Sequence, residues 1–115
     1  MKCDKNRKET ANLTGQILEL TKLIDYQNNS VVSRTIIAKK GCTVSLFAFD
    51  KAQGLSEHAA PFDALVYILD GQADIIISGK PFHLKKGEMI IMPANQPHAL
   101  KAIEKFKMLL IMARA

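Results

Sequence analysis

The sequence predicts an all-β fold, a sandwich or barrel built from short strands. After residue 30, apolar and β-branched runs recur at short and regular intervals, and glycine and proline separate them. The chain has 115 residues, of which 48% are hydrophobic, and this size suits one folded domain. We therefore expect a leader and arm over residues 1–30 and a single β-barrel over residues 31–115.

The segment before the barrel carries two patterns. Residues 1–12 are polar and have no apolar period, which predicts a leader or a fraying helix outside the core. From Leu13 to Ile24 the apolar residues recur at helical spacing, so a short helix is expected there. Gly15 weakens a helix, and pairing of Ile17 to Leu20 as a first strand stays open.

The predicted strands are separated by glycine turns. Asp70-Gly71 lies between two apolar runs and predicts a two-residue hairpin of type I′, and Gly79-Lys80 predicts a second tight turn. A break at Pro61 and Phe62 separates two further runs. The expected strands cover residues 31–38, 43–49, 55–60, 64–69, 73–78, 81–84, 88–92, 98–102 and 106–113.

Four of these strands are apolar on both faces, whereas a half-exposed strand alternates apolar and polar residues. A barrel has one interior, so the outward side chains need a second cover, and the arm can supply only part of it. The sequence therefore predicts a two-fold homodimer that buries the outer face, with the arm packed across the subunit boundary. The surplus side chains include Leu65, Tyr67, Leu69, Ile76, Leu109 and Ile111.

Composition excludes several function classes. The net charge is +5, but the lysines are dispersed, and aromatic residues make up 6% with no tryptophan, so nucleic-acid binding is disfavoured. No apolar run is long enough for a membrane span, and no secretion signal is recognisable, so we expect a cytoplasmic protein. Cys3 and Cys42 lack the spacing of a zinc or redox pair and are expected to be free thiols.

Two stretches resemble the two motifs of the cupin superfamily, G-x5-H-x-H-x3,4-E-x6-G and G-x5-P-x-G-x2-H-x3-N. The first stretch runs from Gly54 to Gly71 and contains His58, and the second runs from Gly87 through Pro93 to His98. The resemblance extends over about residues 31–113. It implies a double-stranded β-helix, or jelly-roll barrel, preceded by a short N-terminal arm or helix.

In cupins, two histidines and a glutamate of the first motif and a histidine of the second converge on a divalent metal. The resemblance implies that His58 and His98 are ligands here, whereas Ala60 stands at the second histidine position and Ala64 at the glutamate position. The second motif also departs from the family, with Asn95 for glycine and Ala102 for asparagine. Asp63 is the candidate third ligand, provided that a bulge at residues 61–62 turns it inward.

Two functions therefore stay open. The first is a barrel that binds a small molecule or a weakly held divalent metal (Zn, Ni, Fe or Mn), with His58, His98, Ala60 and Ala64 lining the site. The second is a metal-dependent enzyme of the dioxygenase or isomerase kind. Both require the ring nitrogens of His58 and His98 to lie within about 3–5 Å of each other, the reach of a shared metal or water. His83 is expected at the surface.

Overall fold

A computed structural model describes residues 13–114 of the chain. It confirms the all-β class, with eight strands and one turn of 3-10 helix at Leu20–Lys22. Predictions for residues 1–12, including the thiol of Cys3, lie outside the described residues. The strands are β1 Val31–Ala38, β2 Cys42–Phe49, β3 Gly54–His58, β4 Asp63–Ile77, β5 Lys80–Lys85, β6 Met89–Met92, β7 His98–Lys101 and β8 Phe106–Ala113.

The strands form two antiparallel sheets that share β4. Sheet I contains β1, β2, β8, the first half of β4, and β6. Sheet II contains β3, β7, the second half of β4, and β5. The sheets enclose one apolar core, in which the rings of Phe49 and Phe106 stack with centroids 4.4 Å apart. This is the jelly-roll architecture expected from the sequence.

The predicted hairpin at Asp70-Gly71 is wrong, because β4 continues through these residues as a single strand of 15 residues. A β-bulge at Leu69 shifts the register with β8, so that Ile68 faces Met108 and Asp70 faces Lys107. The bulge bends β4 from sheet I into sheet II, as strands do at the corners of such barrels.

Glycine is required at position 71, because the backbone of Lys105 and Phe106 approaches it closely at this corner. Its φ is 75°, and a Cβ here would overlap the carbonyl oxygen of Lys105. The Asp-Gly pair thus serves a bend between sheets, not a chain reversal.

The bulge also changes which residues of β4 face the core. Before it the even-numbered residues are buried, and after it the odd-numbered ones are. Without the extra residue, one half of the strand would present its polar face to the interior. The six inward residues are Ala64, Val66, Ile68, Ala73, Ile75 and Ile77.

The tight hairpin of this region lies one residue earlier than predicted, at Ser78-Gly79. Both residues have positive φ, 49° and 80°, and Ile77 pairs with Lys80, which is the geometry of a two-residue type I′ turn. The sequence therefore predicted a tight turn correctly but placed it one residue too late in the chain.

The arm is neither the helix nor the strand considered from the sequence; it is an irregular segment with a single 3-10 turn. Isolated helices of about 12 residues are marginal in water, so the arm's apolar residues gain more by packing on the barrel. Ile24 is buried on the outer face of sheet I against Leu46, Ala48 and Leu69.

Polar contacts also anchor the arm to the barrel. Burial, then the hydrogen bond to Asp70, raises the pKa of Tyr26 above its ordinary range. The anchors are Lys107 Nζ, which donates to the Thr21 carbonyl (2.6 Å), Arg34 Nη1 to the Leu23 carbonyl (2.7 Å), and the Tyr26 hydroxyl to Asp70 (2.7 Å).

Among residues 13–114, no helix is long and apolar enough to cross a membrane.

The corner of β4 gives a test with an internal control. Gly71→Ala should lower the free energy of unfolding by at least about 3 kcal/mol, because the new methyl group meets backbone in a left-handed conformation. Gly79→Ala has a similar φ of 80° but open space around its Cβ position, and it should cost about 1 kcal/mol. Urea denaturation of both variants measures the difference, and equal losses would contradict the close-approach argument.

Candidate functional site

The two histidines of the motifs meet at one end of sheet II. His58 is the last residue of β3, His98 is the first residue of β7, and the two are cross-strand partners. Their Nε2 atoms lie 3.2 Å apart, and the rings are edge-on with centroids 4.4 Å apart. The separation is within the predicted range. His98 is buried, with 5% of its surface exposed, and His58 lies at the solvent side of the pair.

Backbone carbonyls fix the tautomers of both rings. The Nδ1 of His58 lies 2.9 Å from the Ser56 carbonyl oxygen, and the Nδ1 of His98 lies 3.3 Å from the Gln96 carbonyl oxygen. A carbonyl oxygen can only accept, so each Nδ1 carries a hydrogen. In two neutral rings both Nε2 atoms then hold lone pairs that face each other, and a shared proton or metal ion is needed to make this contact favourable.

The buried ring is biased towards its neutral form. Burial lowers the pKa of His98, the nearby His58 lowers it further, and the Gln96 carbonyl only partly opposes the change. Neutral imidazole is the form that binds metals. His98 thus presents an available lone pair at neutral pH.

The loop over residues 93–97 positions His98, and Asp63 holds that loop. The Asp63 Oδ1 accepts a hydrogen bond from the backbone N–H of Ala94 at 2.8 Å. The Asp63 carboxylate is exposed, and no group of three or more His, Cys, Asp or Glu side chains suited to a metal occurs in residues 13–114. The structure therefore does not bring Asp63 to the histidine pair, and its role there is to hold the loop.

Further contacts fasten the middle and the C-terminal end of the same loop. The Asn95 N–H donates to the Ala60 carbonyl at 2.7 Å, and the Ser78 N–H donates to the Pro97 carbonyl at 2.8 Å. The Ser78 hydroxyl also donates to the side chain of Gln96 at 3.0 Å. Sequence reasoning missed these contacts, because the turn-forming residues Asn95 and Pro97 signal a loop but not its partners.

The two alanines at ligand positions have different surroundings. Ala60 follows β3 and uses its carbonyl to hold Asn95. Ala64 is buried in the core, where its cross-strand neighbours are Met92 and Met112. Neither alanine offers a donor side chain, so the histidine pair has no further protein ligand at these two positions.

Backbone dihedrals correct the alignment of the first motif. The motif places its glycine six residues before the first histidine, and this position is Ala52, not Gly54. Ala52 has a φ of 72°, and Asn95, at the glycine position of the second motif, has a φ of 66°. Both positions keep the left-handed conformation that favours glycine although their residues differ.

A polar cluster around the third histidine, His83, lies on the exposed side of sheet II. His83 Nδ1 lies 2.6 Å from an Asp74 carboxylate oxygen, and His83 Nε2 lies 2.7 Å from the Gln72 side-chain oxygen. The exposed position of His83 agrees with the prediction from the sequence. Asp74 and His83 are cross-strand partners, and the sequence could have paired them only with the register of β4 and β5 known.

Comparison with known proteins decides the family. A family model described as a cupin domain matches residues 45–113, which is more than half of the chain. The chain belongs to the cupin family. No match to the curated proteins was found for this cupin.

Solved structures agree with this assignment. A conserved protein of unknown function from Streptococcus pyogenes is 36% identical with a TM-score of 0.84, covering 88% of this chain and 89% of that one. A cupin 2 conserved barrel domain protein from Leptotrichia buccalis is 43% identical with a TM-score of 0.83, covering 84% of this chain and 47% of that one. A cupin superfamily protein from Desulfitobacterium hafniense is 29% identical with a TM-score of 0.84, covering 89% and 94%.

The lowered pKa of His98 predicts how stability of the metal-free cupin depends on pH. The unfolded chain holds His98 with an ordinary pKa near 6.5, so below this pH the unfolded state binds more protons than the folded state. The free energy of unfolding should therefore fall as the pH drops from about 7 to about 5. Chemical denaturation in the presence of EDTA measures this slope.

The control for this pH series is His83→Asn, which removes the surface histidine. His98→Asn should flatten the decline between pH 7 and 5, and His83→Asn should leave the decline from His98 in place. An unchanged slope in the His98 variant would contradict the assignment.

Proposed function

We propose that this cupin binds a divalent metal ion through the Nε2 atoms of His58 and His98, and that a small molecule completes the coordination shell. The observation that carries the proposal is the separation of 3.2 Å between the two Nε2 atoms, whose lone pairs are free for a metal ion because each Nδ1 donates to a carbonyl oxygen. Two metal–nitrogen bonds of about 2.1 Å at an angle of roughly 100° span such a separation. The donor set therefore fits a metal held by two imidazoles.

The same donor set makes binding weak. Ala60 and Ala64 contribute no ligand, and Asp63 is engaged by the loop. Catalytic zinc sites commonly have three protein ligands, so a site with two leaves extra positions for water or for ligand oxygens. Among Mn, Fe, Ni and Zn, intrinsic affinity for nitrogen sites should follow the Irving–Williams order and favour Ni and Zn over Mn and Fe.

A metal-dependent enzyme of the dioxygenase or isomerase kind is the second candidate, and the open coordination positions favour it. A bound metal would supply Lewis acidity to a coordinated oxygen. The residues of the chain would orient the ligand and exclude water from its inner side, which the buried His98 ring and the core behind it support. Turnover with a metal-loaded sample separates this function from simple binding.

We propose the cytoplasm as the compartment in which this site works. The chain has only two cysteines, and within the described part of the chain Cys42 is a free thiol. Free thiols are typical of reducing compartments.

Removal of either imidazole should weaken metal binding. His58→Ala and His98→Ala should each lower the affinity for Zn²⁺ or Ni²⁺ at least about tenfold, because a single imidazole remains. Isothermal titration of the full chain with each metal measures this. His83→Ala is the matched control and should bind as the wild type does, since His83 lies outside the pair. Equal affinity in all four proteins would contradict the site.

Restoration of the missing donors should have the opposite effect. Ala60→His together with Ala64→Glu should raise metal affinity by at least about 100-fold, since ligand number and charge determine the strength of a site. Thermal melts with and without metal check that the buried glutamate is tolerated and is stabilised by the ion. A folded double variant with unchanged affinity would show that these positions do not face the histidine pair.

A further inference from the structure

The histidine pair and one end of sheet I lie at the same end of the barrel. Asp70 marks the corner of β4, and Ala64 lies six residues before it and Ile77 seven residues after it. Because β4 bends at this corner, its two ends come to the same end of the barrel, one in each sheet. In sheet II, Ile77 is the cross-strand partner of His98. In sheet I, Ala64 is the cross-strand partner of Met112.

β7 and β8 follow the bend of β4 along one of its sides. Only residues 102–105 separate these two strands, and both pair with β4, β7 with its second half and β8 with its first half. β5 and β6 pair with the other side of β4. His98 begins β7 and Met112 is the next-to-last residue of β8, so the two residues lie opposite each other in the two sheets. Met92, the second neighbour of Ala64, belongs to β6 and lies on the other side of β4.

The side chain of Met112 points into the barrel and can reach the site. It is partly buried and packs against the apolar core between the sheets. Facing sheets lie about 10 Å apart, and a histidine or methionine side chain extends about 4–5 Å from its Cα. An ion held between the sheets can therefore contact an imidazole from one sheet and a thioether from the other.

We infer that the thioether sulfur of Met112 is the third protein ligand of the site and that the ion best suited to it is Cu(I). The inference rests on the proposed function, because it uses the imidazoles of His58 and His98. No third His, Cys, Asp or Glu side chain joins this pair within residues 13–114, whereas both cross-strand neighbours of Ala64 in sheet I are methionines. Thioether sulfur is a soft ligand that favours Cu(I), and imidazole also suits copper.

The separation of the two Nε2 atoms leaves one side of the ion open. Cu(I) takes two or three ligands, and two nitrogens alone hold it almost in a straight line, about 4 Å apart for metal–nitrogen bonds of about 2 Å. The Nε2 atoms of His58 and His98 are 3.2 Å apart, which corresponds to a bent arrangement with an angle of roughly 100°. A bent pair is completed by a third ligand, and Met112 lies on the sheet opposite His98.

The charge of the ligand set also favours a monovalent ion. Two neutral imidazoles and a thioether contribute no negative charge, because Ala64 stands where the motif has glutamate. The ion would lie beside the apolar core, and the cost of removing an ion from water rises steeply with its charge. A divalent ion without a carboxylate partner therefore loses more hydration free energy there than Cu(I) does.

Methionine also fills apolar cores, and a packing role alone is the alternative for Met112. Leucine separates the two roles, because it has a similar volume and no sulfur. Met112→Leu should keep the core filled and remove only the donor. Thermal unfolding in the absence of metal checks that the variant is folded.

Anaerobic competition with bicinchoninate measures the affinity of the full chain for Cu(I), and isothermal titration measures that for Zn²⁺. All proteins carry Cys3→Ser and Cys42→Ser, so that thiols do not compete for copper. Met112→Leu should lower the affinity for Cu(I) at least about tenfold and leave that for Zn²⁺ within about twofold, because a neutral thioether contributes little to the binding of a divalent ion. X-ray absorption of the Cu(I)-loaded parent should show a sulfur neighbour at about 2.3 Å, which the variant lacks.

Met108→Leu is the matched control, since Met108 is also an inward methionine of β8 but lies near the corner, opposite Ile68. Met92→Leu tests the other neighbour of Ala64. Both variants should bind Cu(I) as the parent does and keep the sulfur neighbour.

Met112→Leu and His98→Ala separate this inference from the proposed function. The inference would be overturned by unchanged Cu(I) affinity in Met112→Leu, by equal losses for both ions, by a parent without a sulfur neighbour, or by loss of that neighbour in Met92→Leu instead. If His98→Ala still weakens Zn²⁺ binding in that case, the proposed function stands without the thioether. If His98→Ala leaves the binding of both ions unchanged, both fail.

Discussion

The corner of β4 is the constraint on which the remaining structure depends. Both sheets share this one strand, which is possible because a bulge at Leu69 and the close approach at Gly71 bend it while it stays paired on both sides of the bend. The bend brings β7 beside the second half of β4, and β3 beside β7. The bend in β4 therefore determines where β3 and β7 bring the two histidines together.

Much of the fold could be predicted from the spacing of apolar residues and from the glycine and proline turns alone. β1 and β8 were expected at their observed bounds because runs of mostly apolar residues begin and end there. The corner could not be foreseen, since Asp70-Gly71 carries the same local signal whether the chain reverses or merely bends. Only the pairing of both halves of β4 with other strands decides between these outcomes, and that information is long-range. The helix predicted for the arm was wrong for a related reason. The helical spacing of its apolar residues competes with their packing on a sheet whose strands are distant in the sequence.

The histidine pair was predictable from the sequence, whereas the contacts around it were not. His58 and His98 could be paired from two motifs because motif spacing reports strand register. The hydrogen bond between the Ala94 N–H and Asp63 could not be foreseen, since strict alternation does not reveal that a neighbouring loop needs an acceptor. Counting six residues back from His58 places the motif's first glycine position at Ala52, and the positive φ of Ala52 supports this position. Backbone conformation can thus persist where the residue type that favours it has been replaced.

The bulge in β4 also sets where the chain can change in length. Loss or gain of one residue between Asp63 and Ile77 would exchange the inner and outer faces of half the strand, placing Asp74 and Ile76 in the core position of their neighbours. The turn between β1 and β2, at residues 39–41, is exposed and ends two strands of equal length. Insertions and deletions should therefore be tolerated at that turn and be excluded from β4, so that related chains can differ in loop length while the spacing from residue 63 to residue 77 stays constant.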